Sequence, residues 1–116
     1  MPSTAIAADP VDAPEPQPSA TVSRPVLERS GDLLRALAAP VRIAIVLQLC
    51  QSACCVHELV DALEVPQPLV SQHLRILKAA GVVAGTRSGR EVIYRLVDHH
   101  LADIVIAAVS HAGEQQ

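Results

Sequence analysis

Two apolar segments with helical periodicity are separated in this chain by a linker with room only for a tight turn. Val56, Leu59, Val60 and Leu63 recur at helical spacing, and Val70, Leu74 and Leu77 do so again further on. Between them stand Glu64, Val65, Pro66, Gln67 and Pro68. So short a connection obliges the two helices to pack against each other, and the rest of the chain must be arranged around that pair. The second helix is expected to run to about Ala80 and to stop at Gly81, since glycine suits the left-handed position after a helix.

The rest of the layout follows from composition and periodicity. A chain of 116 residues suits one domain. Residues 1–24 carry Pro2, Pro10, Pro14, Pro16 and Pro18 among small and acidic residues, without apolar periodicity, and are expected to form a disordered tail. Residues 25–116 are expected to form the folded domain. Val26, Leu33, Leu34 and Leu37 begin an amphipathic helix, and Pro40 suits the first turn of the next one. Val41 to Cys50 is apolar nearly all round, as a central buried helix would be. Val82-Val83 and Glu91 to Leu96 flank a turn around Ser88-Gly89 and read as a hairpin. A last helix from about His99 to His111 places Leu101, Ile104, Val105 and Ala108 on one stripe. The expected fold is mainly α, five helices with a two-stranded hairpin. Tyr94 is the only aromatic residue although half the chain is hydrophobic, so the core must be aliphatic. No run approaches the ~20 apolar residues of a membrane span, and no basic-then-apolar leader opens the chain. Cys50, Cys54 and Cys55 are too few and too close for a disulfide framework, which points to a reducing, cytoplasmic setting.

The net charge is −3, but its distribution matters more than its sum. Between Gln67 and Arg95 the basic residues Arg75, Lys78, Arg87, Arg90 and Arg95 face a single acidic one, Glu91. In the second helix of the pair, Gln67, Ser71, Arg75 and Lys78 form a polar stripe opposite Val70, Leu74 and Leu77, with Gln72 and His73 on the same helix. Such side chains hydrogen-bond to base edges and phosphates in a major groove. Arg87 and Arg90 bracket the glycine-containing hairpin tip, from which guanidinium groups can reach the DNA backbone. A solvated helix face and a charged hairpin tip are the ordinary alternatives. The pairing of a helix-turn-helix with a basic hairpin favours double-stranded DNA.

From Leu33 to about Glu114 the chain resembles the ArsR/SmtB family of winged-helix metal-sensing repressors. The resemblance rests on "LLRALAAPVRIAIVLQL", "CVHELVDAL", "VSQHLRILKAAGVV", "SGREVIYRL" and "DHH". It implies a homodimer that binds operator DNA, an inverted repeat, and leaves it when an inducer binds. Pro66 departs from the pattern, because relatives often carry Ser or Thr there to cap the recognition helix.

Asp98, His100, His111 and Glu114 have the most informative spacing in the chain. Eleven residues, very nearly three turns, separate the two histidines, placing them on one face about 16 Å apart. One ion with ~2 Å bonds cannot span that distance. If a second copy of the helix packs antiparallel, Asp98 and His100 meet the partner's counterparts of His111 and Glu114, and two-fold symmetry gives two four-ligand sites. Two imidazoles and two carboxylates suit Zn(II), with Co(II) or Ni(II) as alternatives. The family resemblance supports the same four residues, through its Asp-x-His and His-x-x-Glu pairs. Singly, Asp98 reads as a helix N-cap, and spacing leaves His99 and Asp103 open as substitutes. Cys54, Cys55 and His57 resemble the "Cys-Val-Cys-Asp-Leu" element of relatives that sense arsenic, cadmium or lead, although residues 1–49 supply no Cys or His to complete it. Cys50 is expected to be a small hydrophobe of the central helix. The expected function is a Zn(II)-released repressor; the alternative is a thiol-based sensor of arsenite or oxidants using Cys54 and Cys55. Four protein ligands leave no open position for a catalytic water, so no enzyme is expected.

Overall fold

Thirteen residues beginning at Gln67 form a helix with no side-chain cap, and the chain compensates for the missing cap with two prolines. In the computed structural model, which describes residues 21–114, Pro66 occupies the N-cap position and Pro68 the first turn. Pro68 has no N–H, which removes one of the donors that a helix start leaves unpaired. The Pro66 carbonyl accepts from Leu69 N–H at 3.0 Å and Val70 N–H at 3.1 Å.

Five helices and two strands are present among the described residues. They are α1 (Arg24–Leu37), α2 (Pro40–Gln51), α3 (Val56–Leu63), α4 (Gln67–Ala79), β1 (Val83–Ser88), β2 (Glu91–Leu96) and α5 (His99–Gly113). The chain divides into two units, Met1–Gly31 and Asp32–Gln116. The first contributes only the opening turns of α1 to the described residues, with Arg24 and Glu28 paired at 3.4 Å. The tail expected at residues 1–24 lies outside the described residues up to residue 20, and helix α1 already includes Arg24.

In the second unit, α2 is the centre, touching α3, α4, α5 and β2. Every residue from Val41 to Leu49 is at least half-buried, with Ile45 and Val46 fully enclosed. Cys50 corrects the expectation of a buried residue: it stands exposed at the C-terminal end of α2. The remaining fully enclosed side chains are Leu59, Val70, Leu74, Leu77 and Val82. Each branched aliphatic side chain of this size contributes about 1.5–3 kcal/mol when removed from water. Such an aliphatic core is what a chain with one aromatic residue requires.

Both ends of the α3–α4 pair are fixed by backbone geometry. The turn opens at Glu64, a non-glycine residue in the left-handed region (φ 57°, ψ 42°) whose N–H bonds Val60 O at 2.8 Å. Helix α4 closes at Gly81 (φ 77°). There Gly81 N–H bonds Lys78 O at 3.0 Å and Val82 N–H bonds Leu77 O at 2.9 Å, the paired bonds of a Schellman motif. This stop turns the chain directly into the hairpin.

Strands β1 and β2 pair antiparallel, from Val83 opposite Leu96 to Ser88 opposite Glu91. The turn is therefore Gly89-Arg90, one residue beyond the expected place. Gly89 has φ 64° at its first position, as a II′ turn requires. Cys54 adds a bridge on the other edge of β2, with Cys54 N–H to Tyr94 O at 3.0 Å and Tyr94 N–H to Cys54 O at 2.8 Å. In α5, Leu101 and Val105 are buried and Ile104 is half-buried, while Ala108, expected on the same stripe, is exposed. No single helix among the described residues is long and apolar enough to cross a membrane.

Candidate nucleic-acid interface and metal centres

Helix α4 presents the two faces its sequence demands. Val70, Leu74 and Leu77 are buried, whereas Gln67, Gln72, Arg75 and Lys78 are exposed and Ser71 is half-exposed. His73 is half-buried, and its Nδ1 is enclosed without a hydrogen-bond partner. That ring nitrogen is turned away from solvent, which sets His73 apart from the rest of the stripe. On the hairpin, Arg87 and Arg90 are exposed around the turn, and Arg95 is tied to the strand by a 2.9 Å bond to Thr86 Oγ1. The arrangement offers an exposed helix with hydrogen-bonding side chains, followed by a projecting hairpin with two untethered guanidinium groups.

The first half of the last-helix constellation is assembled within one chain. Asp98 is the N-cap of α5, and its Oδ1 accepts the His100 backbone N–H at 2.9 Å. The same oxygen stands 3.2 Å from His100 Nδ1, and both side chains are largely exposed. Asp98 thus has the cap role read from sequence, with both contacts on Oδ1 and Oδ2 left for another partner. His111 and Glu114 are exposed at the opposite end of α5, three turns away. The two pairs do not converge within a chain.

At the start of α3 the structure assembles a cluster that the sequence disclosed only in part. Cys55 is the N-cap, and its N–H donates to the Glu58 carboxylate at 2.9 Å, the reach-back of a capping box. That bond holds the Glu58 carboxyl below its ordinary range. Cys55 Sγ lies 3.2 Å from His57 Nδ1, which in turn lies 3.2 Å from Glu91 Oε2 on β2. Ligand atoms of Cys55, His57 and Glu91 all fall within 4.8 Å of one another. Cys54 is not part of this cluster. Its Sγ donates to Ser52 O at 3.4 Å, and the residue packs in the core. Burial pushes both thiols above their ordinary value.

Comparison with known proteins bears on the helix-turn-helix and the hairpin. Residues 39–84, from the start of α2 through the first residues of β1, match the family described as "Bacterial regulatory protein, arsR family". The chain is 78% identical over 91 residues to the HTH-type transcriptional repressor SmtB of Mycobacterium tuberculosis, a match covering 78% of this chain and 67% of that protein. It is 35% identical over 96 residues to the transcriptional regulator NmtR of the same organism, covering 83% and 80%. The chain belongs to the ArsR family.

The fold of this ArsR-family chain is a winged helix-turn-helix. A domain of that description from Mycobacterium bovis, itself homodimeric, superposes with a TM-score of 0.70 over 89% of this chain and 92% of its own, at 24% identity. In its terms, α3 and α4 are the helix-turn-helix and β1–β2 is the wing. The chain is a transcriptional repressor of the SmtB/ArsR type and not an enzyme.

Glu91 is the candidate ligand of this cluster that the sequence does not disclose. It is 34 positions from His57, and in the sequence it stands only as the lone acid among five basic residues. Nothing in periodicity or spacing joins it to α3; only the pairing of β2 with Cys54 does.

Proposed function

We propose that this ArsR-family repressor binds operator DNA as a homodimer through α4 and the wing, and that Zn(II) held between the last helices of the two subunits releases it. The observation carrying this reading is the split constellation on α5. Asp98 and His100 are already at ligand spacing, 3.2 Å apart, on exposed side chains. His111 and Glu114 stand exposed at the far end of the same helix. A half-site at each end of one helix is completed by an antiparallel copy and by no rearrangement within the chain.

The surface supports a second copy at this place. Leu34, Ile106 and Val109 are exposed apolar residues, 55%, 48% and 40% accessible in the isolated chain. A wholly apolar cavity of about 190 Å³ lies among Leu34, Leu37, Ala38, Ile43, Ile104, Val105 and Ala108. Such surface is costly in water and is relieved when a second α5 covers it. Two imidazoles and two carboxylates then satisfy the four-coordinate preference of zinc, with Co(II) or Ni(II) as surrogates.

On DNA, Gln67, Ser71, Gln72, Arg75 and Lys78 read or anchor in the major groove, and Arg87 and Arg90 hold the flanking phosphates. His73 takes at most a peripheral part, because its Nδ1 faces inward. Two-fold symmetry of the dimer calls for an inverted-repeat operator. Release follows from linkage: metal bound more tightly by the free dimer lowers DNA affinity by the same factor that DNA lowers metal affinity.

Fluorescence anisotropy of labelled operator DNA, titrated in turn with zinc, cobalt, nickel and arsenite, tests the reading. Release by zinc that is abolished in His100→Ala and His111→Ala chains is the expected result. Release by arsenite alone would sink it and favour Cys54 and Cys55 as the sensors.

A further inference from the structure

Two large apolar side chains are exposed on the recognition helix itself. Leu69 is 46% and Ile76 37% accessible, on a helix that buries Val70, Leu74 and Leu77. The exposed apolar residues Leu34, Ile106 and Val109 are covered in the proposed dimer, whereas α4 is not part of that contact. Seven residues, very nearly two turns, separate Leu69 from Ile76, with Gln72 between them at three and four positions. All three are exposed and share one edge of the helix.

The backbone beneath Leu69 is fixed. Pro66 precedes the helix at φ −56°, the ring of Pro68 locks the next φ but one, and Leu69 N–H donates to Pro66 O at 3.0 Å. Leu69 is the third residue of α4 and so belongs to its first turn. A recognition helix meets base edges with its N-terminal residues. Leu69 therefore stands at the end that enters the groove, and Ile76 stands two turns away from it.

Charge and base chemistry name what covers it. Arg75, Lys78, Arg87 and Arg90 surround this edge with positive charge, which complements a phosphate backbone and opposes an apolar protein partner. Among the base-edge groups of unmodified DNA in the major groove, the C5-methyl of thymine is the apolar one. Gln72, one turn along the same edge, is the kind of side chain that bonds adenine N6 and N7 together. A methyl contact and an amide contact are complementary readings of A·T pairs. A single exposed leucine is ordinary on a protein surface; one fixed in the first turn of a recognition helix, beside such an amide, is placed for a thymine.

We propose that Leu69 is a specificity-determining residue of operator recognition, packing against the C5-methyl of one thymine in each half-site, one helical turn from an adenine contact by Gln72. This role rests on the docking of α4 in the major groove and adds a base preference that hydrogen bonding does not supply. Burying one methyl group is worth about fourfold in affinity, the equivalent of ~0.8 kcal/mol for one buried carbon group. Leu69→Ala removes the partner of that methyl while keeping the helix, because the residue is exposed and alanine is the best helix former.

Duplexes enriched from a randomised pool by the full chain are the DNA to use, with each thymine replaced in turn by deoxyuridine, which lacks only the C5-methyl. Anisotropy with the unsubstituted chain should find one thymine position per half-site whose replacement weakens binding about fourfold. Leu69→Ala should bind the thymine duplex about fourfold more weakly and lose the distinction between thymine and uracil at that position. Ile76→Ala should keep the distinction, and circular dichroism should show both variants folded. Two results with the variants would each overturn the proposal: thymine preference that survives Leu69→Ala, or thymine preference erased equally by Ile76→Ala. Enriched duplexes bound equally well with thymine or uracil at every position would overturn it while leaving the docking of α4 intact. Enrichment of no duplex at all would overturn that docking and the role of Leu69 with it.

Discussion

Glu64 carries the one strained backbone conformation among the described non-glycine residues, at φ 57°. The helix-turn-helix needs a left-handed residue to end α3 and redirect the chain within three residues, and here an acidic side chain supplies it. The left-handed region costs an L-residue roughly 1–2 kcal/mol, while glycine loses about 0.5–1 kcal/mol more conformational entropy on folding. Glu64→Gly is therefore expected to stabilise the fold by about 0.5–1 kcal/mol, read as a higher urea midpoint at unchanged slope. A lower midpoint would mean that the Glu64 side chain contributes something the backbone argument omits. At the same scale, Arg75 and Arg90 should part company. Arg75 projects from α4, and Arg75→Ala should cost about 1–3 kcal/mol on operator DNA if it reads a base. Arg90 is at the wing tip, and Arg90→Ala should weaken operator and random DNA nearly equally and reduce the salt dependence. Anisotropy on both DNAs across a salt series separates the two roles, and equal behaviour of the two variants would contradict the docking mode.

Elements were legible where one local period decides them. The buried and exposed faces of α4 follow from Val70, Leu74 and Leu77, and its end follows from Gly81. The hairpin was legible too, but its turn was displaced by one residue because the strand length is set by pairing with β2 and not by composition. Cys50 departs from expectation for a related reason: α2 is apolar all round, so its periodicity cannot tell which residue at its last turn escapes the core. The wing also contains a packing constraint hidden from the sequence. Gly85 sits opposite Tyr94, and a Cβ there would meet Val92 Cγ1 at 2.7 Å and the Tyr94 ring at 3.2 Å. Val92 is branched at Cβ and has little freedom to yield. Gly85→Ala should accordingly destabilise the fold by about 1–3 kcal/mol, as overpacking does elsewhere, measurable by urea unfolding. An unchanged midpoint would show that the wing shifts to accept the methyl group.

At the scale of the whole molecule the decisive question is whether the last-helix ligands come from two chains. Asp98 and His100 at one end of α5 and His111 and Glu114 at the other cannot share an ion within a chain, being about 16 Å apart along the axis. A homodimer carrying His100→Ala keeps only the His111/Glu114 halves, and one carrying His111→Ala keeps only the Asp98/His100 halves. Neither should bind zinc tightly. In a heterodimer of the two variants, one of the symmetry-related sites pairs an intact Asp98/His100 with an intact His111/Glu114 across the interface, and the other lacks both histidines. Metal counting on purified heterodimer should thus find one tight zinc, against two for the dimer with all ligands present. If each site drew its ligands from one chain, both chains of the heterodimer would be defective and the count would be zero. That single number distinguishes a sensor assembled by dimerisation from one built into the monomer, and the tight zinc must be absent from both mutant homodimers, which excludes His99 as a stand-in for His100.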